Sequence, residues 1–121
     1  MLQVRDLHDS ANPGADEARN WIGNRVEDVY GAGIGRLEDV LVDGEGRPTW
    51  LIVREGRFTT SVAAVPFDGA LGSPGHVWAP VAKDAVKSSP RIPENGEFTV
   101  GFERELLGHY EANKVSGPPT R

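Results

Sequence analysis

The chain has 121 residues, no cysteine, 15 glycines, nine prolines and a formal net charge of −5. That length supports one domain around one core, because a chain of this mass buries about two-thirds of its unfolded surface. Disulfides and thiolate metal centres are excluded, the acidic balance opposes broad nucleic-acid binding and docking on anionic lipid, and no apolar run approaches the roughly 20 residues of a membrane span.

The opening MLQVRDLHDS has neither the basic nor the apolar region of a secretory leader, so a cytoplasmic protein without membrane insertion is expected. Residues 1–18 read as a flexible arm, interrupted by Pro13-Gly14. Within 16–20, DEARN suits one helical turn and leads to Trp21 and Ile22, expected as the first core residues.

Residues 23–55 organise the rest. They read as three strands, 25–30, 34–43 and 49–55, joined by the turns Gly31-Ala32-Gly33 and Gly44-Glu45-Gly46. Glycine supplies the positive φ that tight hairpin turns require. The long second strand does not keep one parity: Ile34 is in phase with Val40 and Val42, Leu37 with Leu41. A bulge or bend near Glu38-Asp39 reconciles the two sets, because one inserted residue moves every following side chain to the other face. The run Trp50-Leu51-Ile52-Val53 is apolar without alternation, so both faces of that strand must be covered. A strand bent in its middle suits a small barrel, so the cover is either that barrel with its C-terminal helix, or a second subunit.

Gly56-Arg57 makes a turn, and Phe58-Thr59-Thr60-Ser61 reads as a shortened strand end or loop tip. Residues 62–67 form a strand with Pro66 at its end or on an edge, because proline donates nothing to a ladder. Residues 68–75 read as a loop and 77–81 as a closing strand, with Val77, Ala79 and Val81 on one face. One helical turn is expected over 83–89, ended by Pro90, and irregular chain over 92–98. Residues 102–112 are the one good helix: Phe102, Leu106 and Tyr110 recur every fourth residue with Leu107 beside them, and Thr99 is placed to cap the start. The barrel is expected over 19–92, its helical extension over 93–112 and a disordered tail over 113–121.

Taken together, Gly23…Val26…Asp28, Gly31…Ile34-Gly35…Leu37…Asp39-Val40, Asp43…Gly46-Arg47-Pro48…Trp50…Val53, Gly56-Arg57-Phe58, Val65-Pro66…Gly69-Ala70, Val77…Pro80, Lys83…Val86…Pro90 and Glu105-Leu106…His109-Tyr110 resemble the stand-alone PRC-barrel domain proteins of bacteria. The family takes its name from the cytoplasmic domain of the photosynthetic reaction centre H subunit. The resemblance implies a mainly β fold, a small, partly open barrel of about five or six strands with a short C-terminal helix. It also implies a non-enzymatic role in protein or RNA assembly. In the reaction centre the domain packs on a membrane complex, and in a ribosome-maturation factor a similar domain contacts a ribosomal protein. Thr59-Thr60-Ser61 departs from the basic, aromatic loop that relatives often carry there.

No catalytic constellation stands out. Gly31-Ala32-Gly33-Ile34-Gly35 contains a GxGxG, but a dinucleotide site needs a helix after it, and here a strand follows. Asp43-Gly44-Glu45-Gly46 offers two carboxylates where calcium wants six to eight oxygens, so it reads as a turn. Asp28 and Asp39 are placed to accept backbone N–H bonds and hold turns; the competing reading, with Asp43, is a catalytic or small-molecule site. His8, His76 and His109 have no ligand spacing, and no serine has a nucleophile-elbow context. Trp50, Phe58, Trp78 and Tyr110 are core or a recognition patch. Arg47, Arg54 and Arg57 make a modest basic cluster near one hairpin end.

The function expected is therefore a protein-interaction and assembly module, not an enzyme, with no cofactor or metal. Its partner is a protein, a second copy in a homodimer included, and nucleic acid is not expected. Trp50, Ile52, Phe58 and Phe102 are expected near the contact. The alternative is an RNA-processing or ribosome-assembly accessory acting through Arg47, Arg54 and Arg57.

Overall fold

A computed structural model describes residues 14–56, 62–93 and 96–114. The elements in chain order are α1 (Ala15–Arg19), β1 (Arg25–Glu27), β2 (Gly33–Val42), β3 (Pro48–Arg54), β4 (Val62–Pro66), β5 (Leu71–Ser73), β6 (His76–Trp78), α2 (Lys83–Lys87) and α3 (Val100–Ala112). The strands form one six-stranded sheet in the order β4-β3-β2-β1-β6-β5. β1 and β6 run parallel; the other neighbours are antiparallel. The sheet curls round a core without closing, as expected of a mainly β, partly open barrel carrying a C-terminal helix.

The bend in β2 falls where the parity conflict put it. Leu37 faces Val53 and Asp39 faces Ile52, so Glu38 is the extra residue of a bulge. The bulge lets Ile34, Leu37 and Val40 all point inward. The Asp39 carboxylate accepts the Val40 N–H at 2.8 Å, so the break in the ladder keeps this amide paired.

Trp50, Leu51, Ile52 and Val53 are all buried. Trp50 meets Phe98 and Tyr110 at ring separations of 5.9 and 6.2 Å, and its indole N–H donates to Glu103 of α3 at 2.7 Å. Leu51 and Val53 join the central core on the other face with Ala63 and Val65 of β4. Both covers come from within the chain. α3 is capped by Thr99, whose hydroxyl accepts the Phe102 N–H at 3.0 Å, and buries Phe102, Leu106 and Tyr110. The Tyr110 hydroxyl donates to the Ala64 carbonyl at 2.8 Å, tying α3 to β4.

Three expectations need correction. Ile22 is 43% exposed; only Trp21 inserts, stacked on Phe67 at 6.0 Å. The stretch 68–75 is not all loop, since β5 lies inside it and pairs with β6. Gly72 of β5 has no side chain because the Trp21 indole occupies that place: a Cβ there would collide with the ring. A three-residue strand with a central glycine has no readable periodicity, which is why it passed for loop. Finally, β1 stops at Glu27 rather than residue 30, because Asp28 turns the chain.

Candidate functional site

Asp28 is the one buried carboxylate among the described residues. Its Oδ1 accepts the N–H groups of Tyr30 and Ala32 and its Oδ2 that of Lys83, each at 2.8 Å. One side chain thus closes the turn between β1 and β2 and pins the first residue of α2 beside it. This is the turn-holding role read from the sequence, with a third bond that the sequence does not show. Asp43 acts likewise in the β2–β3 hairpin, where its Oδ1 accepts from Glu45 and Arg47 at 2.8 and 3.0 Å. The Arg47 and then the Glu45 amide stabilise the charged carboxylate and lower its pKa below 3.8. Asp28, Asp39 and Asp43 therefore sit in three separate turns or bends, each bonded to backbone, and do not converge.

Among the described residues an open groove of about 780 Å³ lies between β1, the start of β2, the end of β3 and α2. Arg25, Arg36, Arg54, Lys83 and Lys87 line it, with Glu55 as the one carboxylate. Arg25 is bonded to Glu27 at 2.9 Å, Arg54 is paired with Glu38, and Arg36 donates to the Gly23 carbonyl at 3.0 Å. Glu55 is itself paired with Arg91. The Arg25 guanidinium lies across Gly33, where a Cβ would come within 2.6 Å of its Nη2. Gly35 admits the carbonyl of Arg54 at the close approach of β2 and β3, which no side chain would permit.

A second surface adjoins this one. β5 ends the sheet, and its outer face pairs Leu71 with Trp78 and Ser73 with His76. Leu71 is 63% and Trp78 39% exposed, and the Trp78 ring stacks on His76 at 5.8 Å. His76 is also the register partner of Arg25, which lines the groove.

Of the residues expected at a contact, Trp50, Ile52 and Phe102 lie in the chain's own core, and Phe58 lies outside the described residues. The aromatic candidates divide: Trp50 and Tyr110 are core, Trp78 is surface. The basic cluster also divides. Arg47 precedes β3 and Arg54 ends it, about 23 Å apart at strand rise, and Arg57 is outside the described residues. Arg54 instead joins four cations that sequence reading passed over, because they come from β1, β2 and α2. Gly33, which the Arg25 guanidinium lies across, is a trace of one of them in the sequence.

The model of the PRC-barrel domain matches residues 13–88. The chain belongs to the PRC-barrel domain family. No curated protein matches the sequence. The PRC-barrel match takes in β1 through α2, with the groove and the β5–β6 face, and leaves α3 outside. No helix among the described residues of this PRC-barrel protein is long and apolar enough to cross a membrane.

Proposed function

We propose that this PRC-barrel chain is a non-enzymatic, cytoplasmic protein-interaction module whose partner docks on the outer face of β5 and β6. The observation that carries the reading is the exposure of Leu71 on β5, the strand that ends the sheet, beside its register partner Trp78 on β6. An edge strand offers unpaired backbone groups to an incoming strand, and an aromatic beside an aliphatic residue makes an anchor. A second copy is one such partner, since two β5 edges can pair about a two-fold axis. Self-association rests on this edge and not on Trp50–Val53, whose cover is intramolecular. The non-enzymatic part is supported by the dispersal of Asp28, Asp39 and Asp43 and by a groove holding a single carboxylate.

Two measurements test this. Light scattering across micromolar concentrations reports self-association, and Leu71→Asp with Trp78→Ser should abolish any dimer seen. Affinity capture from the native cell should return a partner that the same double variant loses. Equal capture by both proteins would refute the docking face.

The RNA-assembly alternative draws its support from the cationic groove alone. Filter binding of RNA over a salt series tests it, since phosphate contacts give affinity that falls steeply with salt.

A further inference from the structure

We infer that the groove between β1, β2, β3 and α2 receives a carboxylate-rich segment of the module's protein partner, an inference that rests on the interaction reading above. The charge distribution is the first ground. Of the ten Lys and Arg among the described residues, five line this groove against one of the 15 Asp and Glu. Outside it, five cations remain among the described residues against 14 carboxylates, all but the buried Asp28 on the surface, so a positive groove is set in a negative surround. Glu55 is paired with Arg91, as Arg25 is with Glu27 and Arg54 with Glu38, so among the described residues the groove's uncompensated charge is that of Arg36, Lys83 and Lys87. Arg25 and Arg54 are held by Glu27 and Glu38, which orients their guanidinium forks before a ligand arrives. Neither Lys83 nor Lys87 has an ion pair among the described residues, and both are accessible.

The negative surround decides which polyanion fits. A nucleic acid continues its charge beyond the groove at one phosphate every few ångströms, and that continuation meets the acidic surface. A protein segment carries a short run of Asp and Glu and then returns to neutral residues. Among the described residues the groove lining also contains no aromatic side chain, whereas single-stranded nucleic acid is held largely by base stacking. The groove meets the β5–β6 face at Arg25, so one partner can place an apolar anchor on Leu71 and Trp78 and its acidic segment in the groove.

The test is fluorescence anisotropy of the full chain with a short labelled peptide of alternating Glu and Ser, its Gln-for-Glu counterpart as control, at low and at about 0.15 M salt. The acidic peptide is expected to bind, weakening as salt rises, and the Gln peptide not to bind. Lys83→Glu with Lys87→Glu should weaken binding about tenfold or more, since interfacial charges contribute through specific pairing. Arg47→Glu with Lys114→Glu changes the net charge equally away from the groove lining and should leave binding within about twofold of wild type. Gly33→Ala alters no charge but displaces the Arg25 guanidinium, and should weaken binding several-fold while far-UV circular dichroism stays unchanged. Equal binding of both peptides, or equal effects of the two charge reversals, overturns the inference. So does tighter binding of a single-stranded RNA of matched charge or of tripolyphosphate, which assigns the groove to phosphate. Failure here with the Leu71 and Trp78 dependence of partner capture intact leaves the module reading standing; loss of that dependence is the separate failure of the module reading.

Discussion

Replacing Asp28 tests the joint on which both surfaces depend. The side chain is 2% exposed and its two oxygens accept three backbone N–H bonds, from Tyr30, Ala32 and Lys83. Asp28→Ala removes all three. A hydrogen bond to a charged group contributes on the order of 1.5–3 kcal/mol, and less where water can reach the abandoned donor. Tyr30 is exposed, so its amide is readily resolvated, whereas Lys83 begins a helix packed beside the turn. Allowing about 1 kcal/mol per bond gives a loss of about 3 kcal/mol, or roughly 12 °C in Tm for a chain of this length. Asp28→Asn separates the two sites. Its amide oxygen can keep Tyr30 and Ala32, but its NH₂ then faces the Lys83 N–H, donor against donor, for a loss of about 1–2 kcal/mol. Urea unfolding of the three proteins measures the series, and hydrogen exchange at Lys83 locates the damage. A stability for Asp28→Ala within about 0.5 kcal/mol of wild type, or equal losses in the two variants, would refute the account.

Three further outcomes follow from individual contacts. Burial pushes the Tyr110 hydroxyl from 10.0 up to about 12, so the folded state keeps a proton that the unfolded chain releases. That contribution is complete below pH 10 and is lost between pH 10 and 12, amounting to up to about 3 kcal/mol; Tyr110→Phe should flatten this part of a stability-against-pH curve and cost about 1 kcal/mol at neutral pH. Gly72→Ala drives a methyl into the Trp21 indole and should cost about 2–3 kcal/mol, and a double-mutant cycle with Trp21→Ala should show that the penalty disappears once the ring is gone. Asp43, with its pKa lowered from 3.8, supports the hairpin at neutral pH and loses that support as pH falls through its folded value; an NMR titration should find it below 3.8, and a midpoint at or above 3.8 would contradict the Arg47 and Glu45 bonds.

The sequence by itself determined the barrel's central hairpins, the bulge and the capped helix, because each is written in neighbours a few residues apart. Mixed parity from Ile34 to Val42 requires a bulge wherever the strand lies, and Phe102, Leu106 and Tyr110 require one buried helical face. The unbroken run Trp50–Val53 required cover on both sides, yet could not say that α3 supplies one of them, because Glu103 and Tyr110 lie more than 50 residues away. β5 was illegible for a similar reason: its strand character comes from β6 and its glycine from Trp21. Only the tertiary structure brought Arg25, Arg36, Arg54, Lys83 and Lys87 to one groove, and only it placed Lys83 on Asp28 across 55 positions. Local patterns dictate which backbone bonds a segment makes; which charges share a surface is settled by the order in which strands pair, and a parallel pairing of β1 with β6 leaves no local mark.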